Sequence, residues 1–205
     1  MSSFWRYRIR FSKRGAIRFI SHRDLMGVFA RAFRRAGLPV RMSQGFNPRP
    51  RFSLPAPLPV GIEGLDEVLE LDLTEEMPAD EVGRRLSAEV PEGVEIIRAE
   101  SLEPPAKARV ASLTYRVTGR LPAGGVERCA SAAELRVTRS DGREIDIKPY
   151  LKSIDRRDGG CEFEILVTRA GSARPAEIVS AICGEDGDLA RHLSLARTAV
   201  NLLAP

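Results

Sequence analysis

The chain has little with which to hold a metal. Its 205 residues contain three cysteines and two histidines. Cys129, Cys161 and Cys183 are odd in number and far apart, form no CxxC or CxxxC pair, and are accompanied only by His22 and His192. A zinc site or an iron–sulfur cluster bound by this chain alone is therefore not expected, and no cofactor is assigned to it. Apolar runs are short and none approaches 18 residues, so no membrane span is expected. Met1-Ser-Ser leads straight into a strand-like segment without the apolar core of a signal peptide. A reduced, metal-free, cytoplasmic protein of one or two globular domains is the expectation, in keeping with 43% hydrophobic and 29% charged residues.

Acid is nearly missing from the first quarter. Residues 1–53 hold thirteen Arg and Lys against one carboxylate, Asp24, a local charge of +12. Residues 54–103 hold fourteen Asp and Glu against three Arg, or −11, and the rest of the chain carries +3. Twelve of the thirteen early cations are Arg, whose planar fork suits bidentate phosphate contacts and base stacking. An anionic partner, foremost RNA, is one implication. Mutual neutralisation of the two blocks within one fold is the other.

Periodicity predicts two halves of similar plan. Residues 4–11 alternate, with Trp5, Tyr7, Ile9 and Phe11 on one face and Arg6, Arg8 and Arg10 on the other, as in a half-buried strand. Residues 16–20 read as extended. Ser21 then caps a helix, answered by Asp24, and Leu25, Val28, Phe29, Ala32, Phe33 and Ala36 form its apolar stripe up to Gly37. Residues 40–50 read as a structured loop, and 51–58 as an edge strand because of its prolines. Residues 67–74 form a strand, 78–90 a helix and 94–98 a strand, which gives βαββαβ, a ferredoxin-like unit. A linker over 104–111 divides the domain 1–103 from a second, 112–205. There, strands over 112–119 and 161–168, helices over 124–132 and 174–183, and a hairpin over 134–148 turning at Ser140-Asp141-Gly142 predict a second ferredoxin-like unit. The tail 193–203 fits either strand or helix. The fold class is α+β with antiparallel sheets.

Two groups of arginines are distinguished. In the predicted sheet the first strand lies between the third and fourth, so Arg6, Arg8 and Arg10 would face Glu70 and Asp72, with Glu95 in reach. On the helix, Arg23, Gly27, Arg31 and Arg34 fall in one quadrant opposite the apolar stripe, flanked by Arg35, with no acid at i±4. A solvated face usually mixes charge signs. Gly27 costs about 1 kcal/mol relative to Ala, and its missing side chain would admit a phosphate or a partner backbone. The loop 41–51 adds Arg41, Arg49 and Arg51, the hydroxyl of Ser43, the amides of Gln44 and Asn47, and the ring of Phe46. That inventory grips a backbone and stacks a base, although Phe46 could equally plug the core. His22, at the helix start, is a weak candidate acid/base with no second base or nucleophile at motif spacing.

The segment Lys13-Arg-Gly-Ala-Ile-Arg-Phe-Ile-Ser-His-Arg-Asp-Leu, with Arg31-Ala-Phe-Arg-Arg-Ala-Gly-Leu-Pro, Ser43-Gln-Gly-Phe-Asn-Pro and Leu58-Pro-Val-Gly, resembles a bacterial family of unknown function called radical-SAM-linked. The match is dense over 13–61. The resemblance implies partnership with a radical S-adenosylmethionine enzyme, to which this chain would be accessory, since it lacks the cysteine set such an enzyme needs. Arg49 departs from the family pattern, in which His is common at that place. The tandem plan is also similar to that of CRISPR repeat-processing endoribonucleases, an analogy of fold alone.

Three functions follow as expectations. The first is a non-catalytic accessory protein that binds RNA through Arg23, Arg31, Arg34, Arg35, Arg41, Arg49 and Arg51 with Gln44, Phe46 and Asn47. The second is a module docking on an acidic surface of the enzyme. The third is a metal-independent endoribonuclease using His22.

Overall fold

The computed structural model describes residues 4–103, 106–139, 141–184 and 187–203. Among them are a mostly antiparallel sheet arrangement and five α-helices. The chain divides into two compact units, Met1–Arg109 with Leu202–Pro205, and Val110–Asn201.

In the first unit, β1 (Trp5–Lys13) leads through a 3-10 turn at Gly15–Phe19 into α1 (His22–Arg35). The residues read as extended over 16–20 wind into this turn because Gly15 adopts φ +66° and its N–H is held by Glu63 Oε1 at 2.9 Å. Ser21 caps α1, its Oγ accepting from the Asp24 N–H at 3.1 Å, and Gly37 leaves the helix at φ +60°. β2 is only Phe52–Ser53, shorter than the expected edge strand, since Pro55, Pro57 and Pro59 have no N–H to extend a ladder. β3 (Glu63–Leu73), α2 (Ala79–Ser87) and β4 (Val94–Leu102) complete the unit, both strands longer than their alternating cores. The strand order is β4-β1-β3, with β2 on β3, all pairs antiparallel.

One face of this sheet meets both helices. Tyr7, Ile9 and Phe11 lie opposite Leu71, Leu69 and Glu67 of β3, and the apolar ones pack with Leu25, Phe29, Ala32 and Phe33 of α1 and Val82 and Leu86 of α2. Phe11, Phe29, Phe33 and Phe52 form a chain of rings at 4.9, 6.0 and 5.0 Å between centroids. Burying such rings supplies most of the driving force and fixes α1 against the sheet. The other helix face, with its arginines, is left outward.

In the second unit, β5 (Val110–Thr118) begins where a linker had been expected to continue. It is followed by α3 (Gly125–Ser131) and a separate hairpin of β6 (Arg136–Thr138) and β7 (Glu144–Asp146). Of that hairpin's turn, Ser140 lies outside the described residues. The hairpin does not supply the second and third strands, in chain order, of this unit's main sheet. These are β8 (Leu151–Arg157) and β9 (Gly160–Leu166), joined at Asp158-Gly159 with Gly159 at φ +74°. α4 (Pro175–Cys183), α5 (Gly187–Arg191) and β10 (Ser194–Leu202) follow, which makes the tail a strand. Within the unit the order is β10-β5-β9-β8. Tyr115 and Phe163 face each other across β5 and β9, stacked at 5.5 Å, and Ile178 and Ile182 of α4 are fully buried.

Candidate nucleic-acid interface

Strand parity places the β1 arginines on the face away from the core, and there carboxylates take them up. Arg6 sits directly opposite Asp72 in register and donates from Nε and Nη2 to its two oxygens at 2.7 and 3.0 Å. Both residues are more than nine-tenths buried. The hydrogen bond to Asp72 raises the Arg6 pKa against the opposing effect of burial. Arg8 pairs with Glu70 at 3.0 Å and with Glu100 at 3.6 Å, and Arg10 with Asp66 at 3.1 Å. Glu95, expected to contribute, is exposed and makes no ion pair among the described residues, and Glu100 on the same strand takes its place. Arg18 meets Glu63 at 3.3 Å. Four of the thirteen early cations, on β1 and the turn after it, are thus taken up by carboxylates.

The helix arginines are in a different condition. Arg23, Arg31 and Arg34 are exposed and pair with no carboxylate among the described residues. Arg35 departs from the expected set: its Nε donates to Glu89 Oε2 at 2.8 Å and its Nη2 to the Glu89 carbonyl. The helix order of α1 turns Arg35 toward the end of α2, where Glu89 follows the last turn. The space above Gly27 is also not vacant, because a Cβ there would lie 3.3 Å from Arg31 Nη1, so that guanidinium folds over the glycine. The charges of Arg23 and Arg31 assist the Ser21 hydroxyl, the main cause, in lowering the Asp24 pKa.

The segment after α1 is pinned rather than loose. Val40 bridges Leu73, and the Arg41 N–H reaches the Asp72 carbonyl at 2.8 Å. Two arms then run antiparallel: the Arg51 N–H donates to the Arg41 carbonyl and the Ser43 N–H to the Arg49 carbonyl, both at 2.8 Å, and Met42 bridges Pro50 between them. Ser43 Oγ accepts from the Arg49 N–H at 2.9 Å. The tip, 44–48, projects beyond the last rung, with Gln44, Phe46, Asn47 and Arg49 exposed. Phe46 is wholly exposed and plugs nothing, since Phe52 fills the place against Phe33. Arg41 stacks on Phe4, its guanidinium carbon 4.5 Å from the ring centroid. Arg49 and Arg51 are exposed and form no ion pair among the described residues.

His22 opens α1 half-buried. Its Nδ1 is sealed from solvent without a hydrogen-bond partner among the described residues. It lines a small pocket of about 10 Å³ together with Lys13 and Glu67, which are 1% and 3% exposed. That is room for roughly one water. Lys13 lies on the apolar parity of β1 and donates from Nζ to the carbonyls of Arg18 and Ile20 at 3.4 and 3.0 Å. A buried ammonium and carboxylate near His22 were not anticipated. The signal was available, since 5, 7, 9, 11 and 13 share one face and position 67 shares that of 69, 71 and 73. A second unanticipated residue is Lys107, on a pocket beside Arg51.

In the second unit, Cys129, Cys161 and Cys183 are buried and not joined in disulfides. Burial pushes the Cys161 thiol up to about 11 and raises that of Cys129. Among the described residues no group of three or more His, Cys, Asp and Glu is arranged to hold a metal ion. No helix among them is long and apolar enough to cross a membrane.

Over residues 6–175 the chain matches the model of a family described as an uncharacterized protein conserved in bacteria. No curated protein matches it.

Proposed function

The chain belongs to that bacterial family (DUF2344), and from this premise we propose that it is an RNA-binding accessory protein that works with a radical S-adenosylmethionine enzyme. RNA binding is supported by one observation above the others. Arg23, Arg31, Arg34, Arg49 and Arg51 are exposed without carboxylate partners among the described residues, beside a braced loop that holds Phe46 wholly in solvent. An exposed aromatic ring in water is unfavourable unless something stacks on it, and every base offers a π face. Phosphates would take the five guanidinium groups together with Arg41, while Gln44 and Asn47 would contact base edges. Single-stranded or looped RNA suits this better than a duplex, whose bases are not available to a protruding ring.

The partnership with a radical S-adenosylmethionine enzyme rests on the resemblance of the 13–61 motifs alone. We also read both units as ferredoxin-like, because β4-β1-β3-β2 and β10-β5-β9-β8 are the same order with the β6–β7 hairpin inserted in the second. Fluorescence anisotropy with a labelled single-stranded RNA tests the proposal. Phe46→Ala is expected to weaken binding about 10-fold, with Phe46→Trp restoring it. Absence of binding to any RNA, or binding indifferent to Phe46, contradicts the proposal.

A further inference from the structure

The outer face of the first unit's sheet carries a pocket of about 260 Å³ that shares Arg51 with the helix–loop surface. Its floor is made by Arg6, Asp72 and Glu70, and its rim by Arg51, Ser53 and Lys107. The floor carboxylates are already committed. Both oxygens of Asp72 accept from Arg6, and Glu70 Oε1 accepts from Arg8 at 3.0 Å and from the Ala108 N–H at 2.8 Å. With Asp72, Glu70 and Arg6 at 6%, 4% and 8% exposure, an incoming cation would gain little from them without breaking buried pairs. The rim is the reverse. Arg51 and Lys107 are exposed and meet no carboxylate among the described residues, and the Ser53 hydroxyl stands with them. The arrangement is a neutralised floor beneath two uncommitted cations, which selects an anion.

Size and charge narrow the class. Pockets for drug-sized ligands begin near about 300 Å³, so this one suits a body no larger than a single nucleotide. A phosphate monoester carries about −1.5 to −2 at pH 7, which two cations balance, whereas a diester within a strand carries one charge. Arg51 also joins the pocket to the braced loop, because its carbonyl accepts from the Asp72 N–H at 3.0 Å and its own N–H is spent on Arg41.

We propose that this pocket binds a terminal phosphate monoester, either the phosphorylated end of a nucleic-acid strand or a free mononucleotide. As an RNA-end site the inference rests on the RNA reading above; as a nucleotide site it stands without it. Calorimetry on the full chain with AMP, adenosine, and one oligoribonucleotide ending in 5′-phosphate or 5′-hydroxyl tests it. AMP is expected to bind about 10-fold or more tightly than adenosine, as charge-assisted hydrogen bonds imply. The Arg51→Gln, Lys107→Gln double variant, altered only at exposed side chains, should bring that ratio near one. A phosphate-ended strand that also outbinds AMP identifies the strand end as the ligand, and parity between them identifies the free nucleotide. Equal binding of AMP and adenosine, or a preference that survives in the double variant, overturns the proposal. A strand bound without regard to its end, with no AMP preference, overturns the pocket and leaves the helix–loop reading standing. A preference for AMP lost in the double variant, with no strand binding at all, supports the pocket and removes that reading.

Discussion

Replacing Asp72 by Asn tests the division of arginines into committed and uncommitted sets. Arg6 and Asp72 have side chains 10% and 8% exposed and are joined by two hydrogen bonds. Removing one partner leaves a guanidinium buried without its counter-charge, a change that costs about 3–5 kcal/mol. Asp66→Asn breaks the Arg10 pair as well, but Asp66 is 37% exposed and water can replace it, so the loss is about 1 kcal/mol or less. The single tryptophan, Trp5, lies in β1 opposite Leu73, so its fluorescence reports on the first unit. In urea, with a slope of about 1–3 kcal/mol/M, Asp72→Asn should lower the midpoint by about 1 M or more, several times the shift of Asp66→Asn. Replacing both partners, Arg6→Met with Asp72→Leu, should recover much of the loss. Equal shifts for the two single variants would refute the reasoning, since Arg6 would then have water in place of Asp72.

Other outcomes follow from the same geometry. Lys13→Met should cost about 2 kcal/mol, because the Arg18 and Ile20 carbonyls lose their donor, whereas Arg14→Met at an exposed site should change the Trp5 midpoint little; equal effects contradict the burial of Lys13. Burial opposes the ionisation of Glu177, yet hydrogen bonds from Arg139 and the Arg174 N–H hold its pKa below the ordinary 4.5. Its folded value being depressed, this contribution is present above pH 4.5 and fades as pH falls through the lower folded value. The stability gap between the wild type and Arg139→Gln, read by circular dichroism in urea, should therefore narrow from pH 7 to pH 3, and a gap that does not change contradicts the pairing. With Cys161 raised to about 11 and all three thiols buried, iodoacetamide at pH 8 should leave the native protein unmodified and label three thiols in denaturant; rapid native labelling contradicts the packing.

Much of the first unit was legible because its signals agree with one another. Alternation in β1, the Ser21–Asp24 cap and the apolar stripe of α1 all point the same way. The acidic residues opposite β1 were legible as a class, and their identities were less so. Arg8 lies directly opposite Glu100 and Arg10 opposite Val68, two residues from Asp66, whereas Glu95 falls opposite Ser12 beyond a bulge, so Asp66 and Glu100 are partners and Glu95 is not. Lys13 was hidden by its type, counted as one more surface cation although its parity points inward. β8 was hidden by composition, for Leu151–Arg157 carries five polar or charged residues of seven and only the Asp158-Gly159 turn announces it. Arg35 could not be separated from Arg31 and Arg34 by spacing, because Glu89 reaches it from 54 residues away. Lys107 joins its pocket only through the path of the chain after β4, which no local pattern encodes.

The most direct measurement is the salt dependence of RNA binding. With Arg35 held by Glu89, six cations remain for phosphates: Arg23, Arg31, Arg34, Arg41, Arg49 and Arg51. At about −0.7 per phosphate on a single strand, the log–log slope of affinity against salt should be about −4. Arg31→Gln with Arg34→Gln should bring it to about −3, and Arg35→Gln should leave it unchanged. A slope near zero, or one that Arg35→Gln alters as much as the helix pair does, would contradict the account.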